Sequence, residues 1–95
     1  MRLTFSAKLW DYQGEGSWHF VTVPPELSEE IRERSGPRRG FGSVRVEVTI
    51  GDSTWTTSVF PSKPDVYVLP VKRPVRVREG IEVGDVVDVA LTIVD

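Results

Sequence analysis

From Tyr67 to Val94 the chain spells out one supersecondary unit, and no other feature limits the fold as much. A strand ends at Leu69-Pro70 and a short basic segment follows. Gly80-Ile81 stops that segment, Gly84-Asp85 makes a tight turn, and Val87, Val89, Leu91 and Ile93 then repeat at every second position. Side chains with period two line one face of a strand. A strand that leaves a sheet, turns a corner and re-enters needs proline, glycine and aspartate at the corners, because these residues adopt turn dihedrals at least cost. The unit predicts a mainly β fold closed into a small barrel.

Other segments supply its partner strands. Leu3, Phe5, Ala7 and Leu9 alternate with Thr4, Ser6, Lys8 and Trp10, which predicts a half-buried first strand. Trp10 and Tyr12 fall on its outward register and are candidates for an interface with a partner or a second copy. Residues 13–17 carry two glycines and form a turn. Trp18 to Val23 is rich in β-formers and is expected to pair with the first strand as a hairpin. Val44, Val46, Val48 and Ile50 give the clearest strand, Gly51-Asp52 a hairpin turn, and Ser53 to Phe60 the partner strand. Residues 61–65 read as a loop and Val66 to Val71 as a further strand.

One helix is expected over about 25–35. Pro25 suits a first helical turn, where its missing N–H costs nothing. Glu26, Glu29 and Glu30 lie toward the positive end, and Arg32 and Arg34 toward the negative end. Leu27 and Ile31, one turn apart, would pin it to the barrel, and Glu30 with Arg34 makes a favourable pair. Gly36-Pro37 would stop it. Residues 74–79 fit two patterns. Pro74 and Gly80 would bracket a short helix, whereas Val75 and Val77 alternating with Arg76 and Arg78 suit a strand.

A chain of 95 residues is expected to be a single domain spanning 1–95. It has no cysteine, which excludes disulfides, thiolate catalysis and cysteine zinc sites. No apolar run approaches the ~18 residues of a membrane span. The N-terminus enters an alternating pattern without the apolar stretch of a signal peptide. No membrane association and a cytoplasmic location are the expectations. A net charge of −2 argues against a DNA-coating protein but permits a local basic face.

Four segments carry a resemblance: Arg39-Gly40-Phe41-Gly42-Ser43, Trp55 to Pro61, Tyr67 to Lys72, and Gly80 to Asp85. Together with Phe20 to Pro24, they resemble the bacterial and archaeal domain-of-unknown-function family nineteen-oh-five over nearly the whole chain. The resemblance implies a double-split β-barrel, similar in fold to the AbrB, MazE and MraZ DNA-binding proteins. It favours a helix over residues 74–79. It implies no catalytic residue and no cofactor.

Several groups of residues bear on chemistry. His19 is the only histidine. A lone histidine in a chain without cysteine makes a poor transition-metal site, so a half-exposed strand residue is the favoured reading, and no metal site is assigned. The carboxylates Glu29, Glu30, Glu33, Asp85 and Asp88 show no spacing suited to a paired-acid hydrolase. Residues 36–42 read as a glycine-rich loop, either a flexible connector, which is the favoured reading, or an anion site in which Arg38 and Arg39 would pair with phosphate. Yet its Gly-x-Gly precedes a strand and matches no phosphate-loop motif. Lys72, Arg73, Arg76 and Arg78 form a basic corner, either a solvated surface or a nucleic-acid contact. Trp55, Thr57, Ser58 and Lys63, with Lys72 nearby, are candidates for a pocket at the barrel mouth. The aromatic residues are expected mostly in the core.

The sequence thus describes a non-catalytic binding or interaction module, with self-association as one mode. Nucleic-acid binding through Arg38, Arg39 and the Lys72–Arg78 corner is the runner-up. A small-molecule or hydrolytic site at the barrel mouth is the third reading.

Overall fold

The structure is a computed structural model that describes residues 2–12, 18–35 and 42–94. Its strands are β1 (Arg2–Lys8), β2 (Trp10–Asp11), β3 (His19–Thr22), β4 (Val44–Ile50), β5 (Ser53–Ser62), β6 (Val66–Pro70) and β7 (Val86–Ile93). Helix α1 (Pro25–Ser35) follows β3, and α2 (Arg73–Glu79) lies between β6 and β7. All strand pairs are antiparallel, in the order β1-β7-β4-β5-β6-β3-β2. The sheet curls into a half-barrel. Its two ends, β1 and β2, are successive pieces of one run joined by Leu9.

That break corrects the first expected hairpin. Only Trp10 and Asp11 pair with Phe20 and His19, whereas Arg2 to Lys8 pair with Thr92 to Val86 of β7. The chain switches partners at Leu9. Its N–H donates to the Asp85 carbonyl at 2.9 Å and its carbonyl accepts from Gly84 N–H at 2.8 Å. Gly84 has φ +95°, in the region that favours glycine. The tight turn foreseen at Gly84-Asp85 therefore also anchors the kink between β1 and β2. A second correction concerns residues 61 and 62. They extend β5, with Pro61 opposite Tyr67 and Ser62 opposite Val66. Pro61 fits because proline is tolerated near strand ends.

Inner-face alternation matches the sequence pattern. Leu3, Val44, Val46, Val48, Ile50, Val59, Val87, Val89 and Leu91 are buried together. The aromatic residues do not follow the expectation that most of them lie in the core. Tyr67 is buried, and Phe5 and Trp55 pack against the core from half-buried positions. Tyr12, Trp18 and Phe60 are exposed. Trp10 and Phe20 are half-buried outside the core cluster, and Phe41 lies outside the described residues. A small curled sheet has a narrow interior, which valines from facing strands fill without the volume of large rings.

Helix α1 seals one side of this interior. Ile31 is fully buried and Leu27 half-buried against the core. Arg34 and Glu30 form the expected pair at 2.8 Å. Ser28 is also fully buried. Its hydroxyl donates to the Val23 carbonyl at 3.1 Å and accepts from Tyr67 N–H at 3.0 Å. The helix ends at Ser35; the expected stop at Gly36-Pro37 and the turn at 13–17 lie outside the described residues.

Residues 73–79 are helical, with Val75 buried and Val77 exposed. Gly80 closes the helix in the left-handed conformation, φ 65° and ψ 36°. Its N–H reaches the Val77 carbonyl at 3.3 Å, and Ile81 N–H reaches that of Arg76 at 3.1 Å. This paired arrangement is the usual glycine-terminated helix end, and it overrides the strand-like alternation of the valines.

Candidate functional site

The basic corner is built by the exit from β6 and the first turns of α2. Pro70 ends β6, Val71 is buried, and Lys72 remains extended before the helix begins. Val71 N–H donates to the His19 carbonyl at 2.9 Å, which fastens the corner to the start of β3. Residues far apart in the chain thereby share one surface.

The four basic side chains of the corner have different roles. Arg76 is half-buried and donates from Nη1 to the Val71 carbonyl at 3.2 Å, bracing the turn that precedes its own helix. Arg78 points the other way, with Nη1 3.4 Å from Ser53 Oγ. That serine, buried, donates to Glu79 Oε2 at 2.6 Å, and Asp52 N–H reaches Glu79 Oε1 at 3.4 Å. Glu79 thus ties α2 to the β4–β5 turn. Lys72 and Arg73 are exposed and enter no side-chain hydrogen bond or ion pair among the described residues. Arg78 is exposed as well; what sets Lys72 and Arg73 apart is that neither side chain has a partner among the described residues.

Replacing Glu79 with alanine is expected to lower stability by about 1–2 kcal/mol, the scale of hydrogen bonds to a charged group that is only partly shielded. A urea unfolding series would show it as a lower midpoint with an unchanged slope. An unchanged midpoint would mean that α2 is held by Val75 alone.

Two clefts meet at this corner. One, about 510 Å³, is lined by His19, Arg73, Arg76, Val77, Ile81, Glu82 and Val83 among others. The other, about 230 Å³, is lined by Trp18, His19, Pro70, Val71, Lys72 and Arg73. His19 and Arg73 belong to both. Burial leaves His19 Nδ1 without a hydrogen-bond partner among the described residues. Such an atom costs roughly 1–3 kcal/mol. The half-exposed strand histidine expected from the sequence lines both clefts. Trp18 forms the outer wall of the smaller cleft. Its ring lies nearly parallel to Phe20, 9° between planes and 6.3 Å between centroids. Phe20 in turn packs on Trp10 at 5.1 Å.

The other candidates fall elsewhere. Trp10 is half-buried, its indole Nε1–H donating to Thr22 Oγ1 at 2.9 Å, while Tyr12 is exposed at the end of the same outer face. Trp55 and Thr57 face inward on β5, opposite Val48 and Val46. Ser58 is on the other face of that strand, opposite Arg45, and Lys63 is exposed in the turn beyond β5. The four proposed pocket residues therefore do not share one surface. Arg38 and Arg39 lie outside the described residues. Sequence reasoning did not join His19 and Trp18 to Lys72 and Arg73. The one signal was the β-rich stretch beginning at Trp18, which had to pair with something.

Among the described residues, no three His, Cys, Asp or Glu side chains are grouped to hold a metal ion, and no helix is long and apolar enough to cross a membrane. A family model described as "Domain of unknown function (DUF1905)" matches residues 5–91. No curated protein matches the chain.

Proposed function

We propose, from the premise that this chain belongs to the DUF1905 family and takes no named activity from it, that it is a non-catalytic binding module for an anionic partner. The site is the corner where β3 and β6 meet α2. One observation carries this reading: among the described residues Lys72 and Arg73 have no side-chain partner and stand beside two adjoining clefts, while Arg76, which also lines the larger cleft, and Arg78 each reach a neutral oxygen of the corner. Cations fixed at a concave surface attract anions more strongly than scattered surface charges do. Glu82 is the one carboxylate lining either cleft, so the local balance stays positive although the whole chain is acidic. Non-catalytic binding fits the lining residues, since among the described residues no serine or threonine lines either cleft to act as a nucleophile with His19.

Thermal unfolding with tripolyphosphate tests the site. At 50 mM salt, with the anion about ten-fold above its dissociation constant, stabilisation by about 1.4 kcal/mol is expected, roughly a 7 °C rise for a chain of this size. The double variant Lys72→Ala/Arg73→Ala should lose most of that rise while unfolding near the wild-type temperature without the anion. An equal rise in both proteins, or none in the wild type, would remove the proposal.

A further inference from the structure

We infer that the corner binds single-stranded nucleic acid, with one base stacked on Trp18 and the adjoining phosphates held by Lys72 and Arg73. The inference rests on the anion site proposed above and names its partner. The smaller cleft has two unlike walls. One is the exposed indole of Trp18, already held flat by its parallel contact with Phe20. The other is cationic, from Lys72 and Arg73. An aromatic plane beside fixed cations is the arrangement that holds a base and its phosphate together, whatever the base, because every base presents a π face.

The second cleft extends the argument from one nucleotide to a strand. It adjoins the first across His19 and Arg73, and its floor is apolar, with Val77, Ile81 and Val83. Val77 and Val83 are both exposed, 67% and 50%. A cation between an aromatic hollow and an apolar hollow follows the base–phosphate–base order of a single strand. A duplex hides its base faces in the stack and could use only the cations, leaving Trp18 idle. An acidic peptide would likewise satisfy the charges without requiring a ring.

The test uses fluorescein-labelled ten-nucleotide strands of deoxythymidine and of uridine, titrated with the protein at 50 mM salt and read by anisotropy. Binding of either strand is expected, together with quenching of tryptophan emission. Trp18→Leu should weaken it about ten-fold, since one base stacked on an aromatic ring contributes on that scale. Trp18→Phe keeps a ring and should stay within about three-fold of wild type. In Lys72→Ala/Arg73→Ala the slope of log affinity against log salt should flatten by about 1.4, as expected for two lost phosphate contacts on a single strand. Thermal unfolding of each variant alone separates binding from folding.

Failure of both strands to bind, equal binding by Trp18→Leu, or equal competition by an unlabelled duplex of the same length would overturn the inference. In each of those cases, a tripolyphosphate effect that still depends on Lys72 and Arg73 would leave the anion site standing. Loss of that effect as well would remove both.

Discussion

Replacing Leu9 with alanine is expected to destabilise the protein by about 3 kcal/mol, within the 2–5 kcal/mol spanned by buried leucine truncations. The size follows from its position. Leu9 is 1% exposed and occupies the one residue between β1 and β2. Its backbone is fixed on both sides, to Asp85 and from Gly84, so the chain cannot slide inward to fill the space an alanine would leave. A cavity that stays open adds its own cost to the lost transfer energy of the side chain. A chain of this size has a total stability on the order of 5–10 kcal/mol, so the urea midpoint should fall by roughly 30–60%. Leu27→Ala is the matched comparison. Leu27 is only half-buried at the edge of the core, and its truncation should cost less than half as much. Equal losses in the two variants would show that the kink at Leu9 has no special role in closing the sheet.

The second large effect is expected from Ser28→Ala, a change of a single oxygen atom. The Ser28 hydroxyl satisfies two buried backbone groups, the Val23 carbonyl and the Tyr67 N–H. Val23 N–H also donates to the Tyr67 carbonyl at 2.9 Å, so α1, the end of β3 and β6 meet at this point. Removing the hydroxyl leaves the Tyr67 N–H without its acceptor inside the protein. An unsatisfied buried donor costs about 1–3 kcal/mol, and the lost bond to Val23 adds to it. A total near 2–4 kcal/mol is expected, measured by the same urea series. Ser28→Cys, which retains a weak donor and acceptor of similar shape, should recover part of the loss. A Ser28→Ala midpoint within experimental error of wild type would mean that the two backbone groups find other partners when α1 shifts.

Neither effect was legible in the amino-acid order, for different reasons. Leu9 was correctly placed on the inward register, because alternation is a local property of the strand. That it is also the point where one run changes partners depends on β7 and β3, which lie at distant places in the chain. Ser28 stands in a helix between Leu27 and Glu29 and looks like any polar helix position. Its spacing from Ile31 puts it on the inward face of the helix, but which backbone groups its hydroxyl meets follows only from how α1 leans on β6.

The candidate site divides in the same way. The basic corner was visible as Lys72, Arg73, Arg76 and Arg78, but as four equivalent charges. Folding makes them unequal: Arg76 turns back to Val71 and Arg78 reaches toward Ser53. Trp18 and His19 were visible as the start of a strand, with no indication that β3 would pair with β6 and end beside the corner. The grouping of Trp55, Thr57, Ser58 and Lys63 failed because neighbours along a strand project to opposite faces, which separates Ser58 from Thr57.

Short-range chemistry was enough to determine the class of fold, the inward valines, the first helix and the glycine turns, since dihedral preference and period-two burial act within a few residues; it left residues 74–79 open between helix and strand. Strand order, the switch at Leu9, the seat of Ser28 and the meeting of Trp18 with Arg73 were decided only by the tertiary structure. Each of them depends on contacts between segments that the curl of the sheet brings together, and no local preference specifies where such a curl closes.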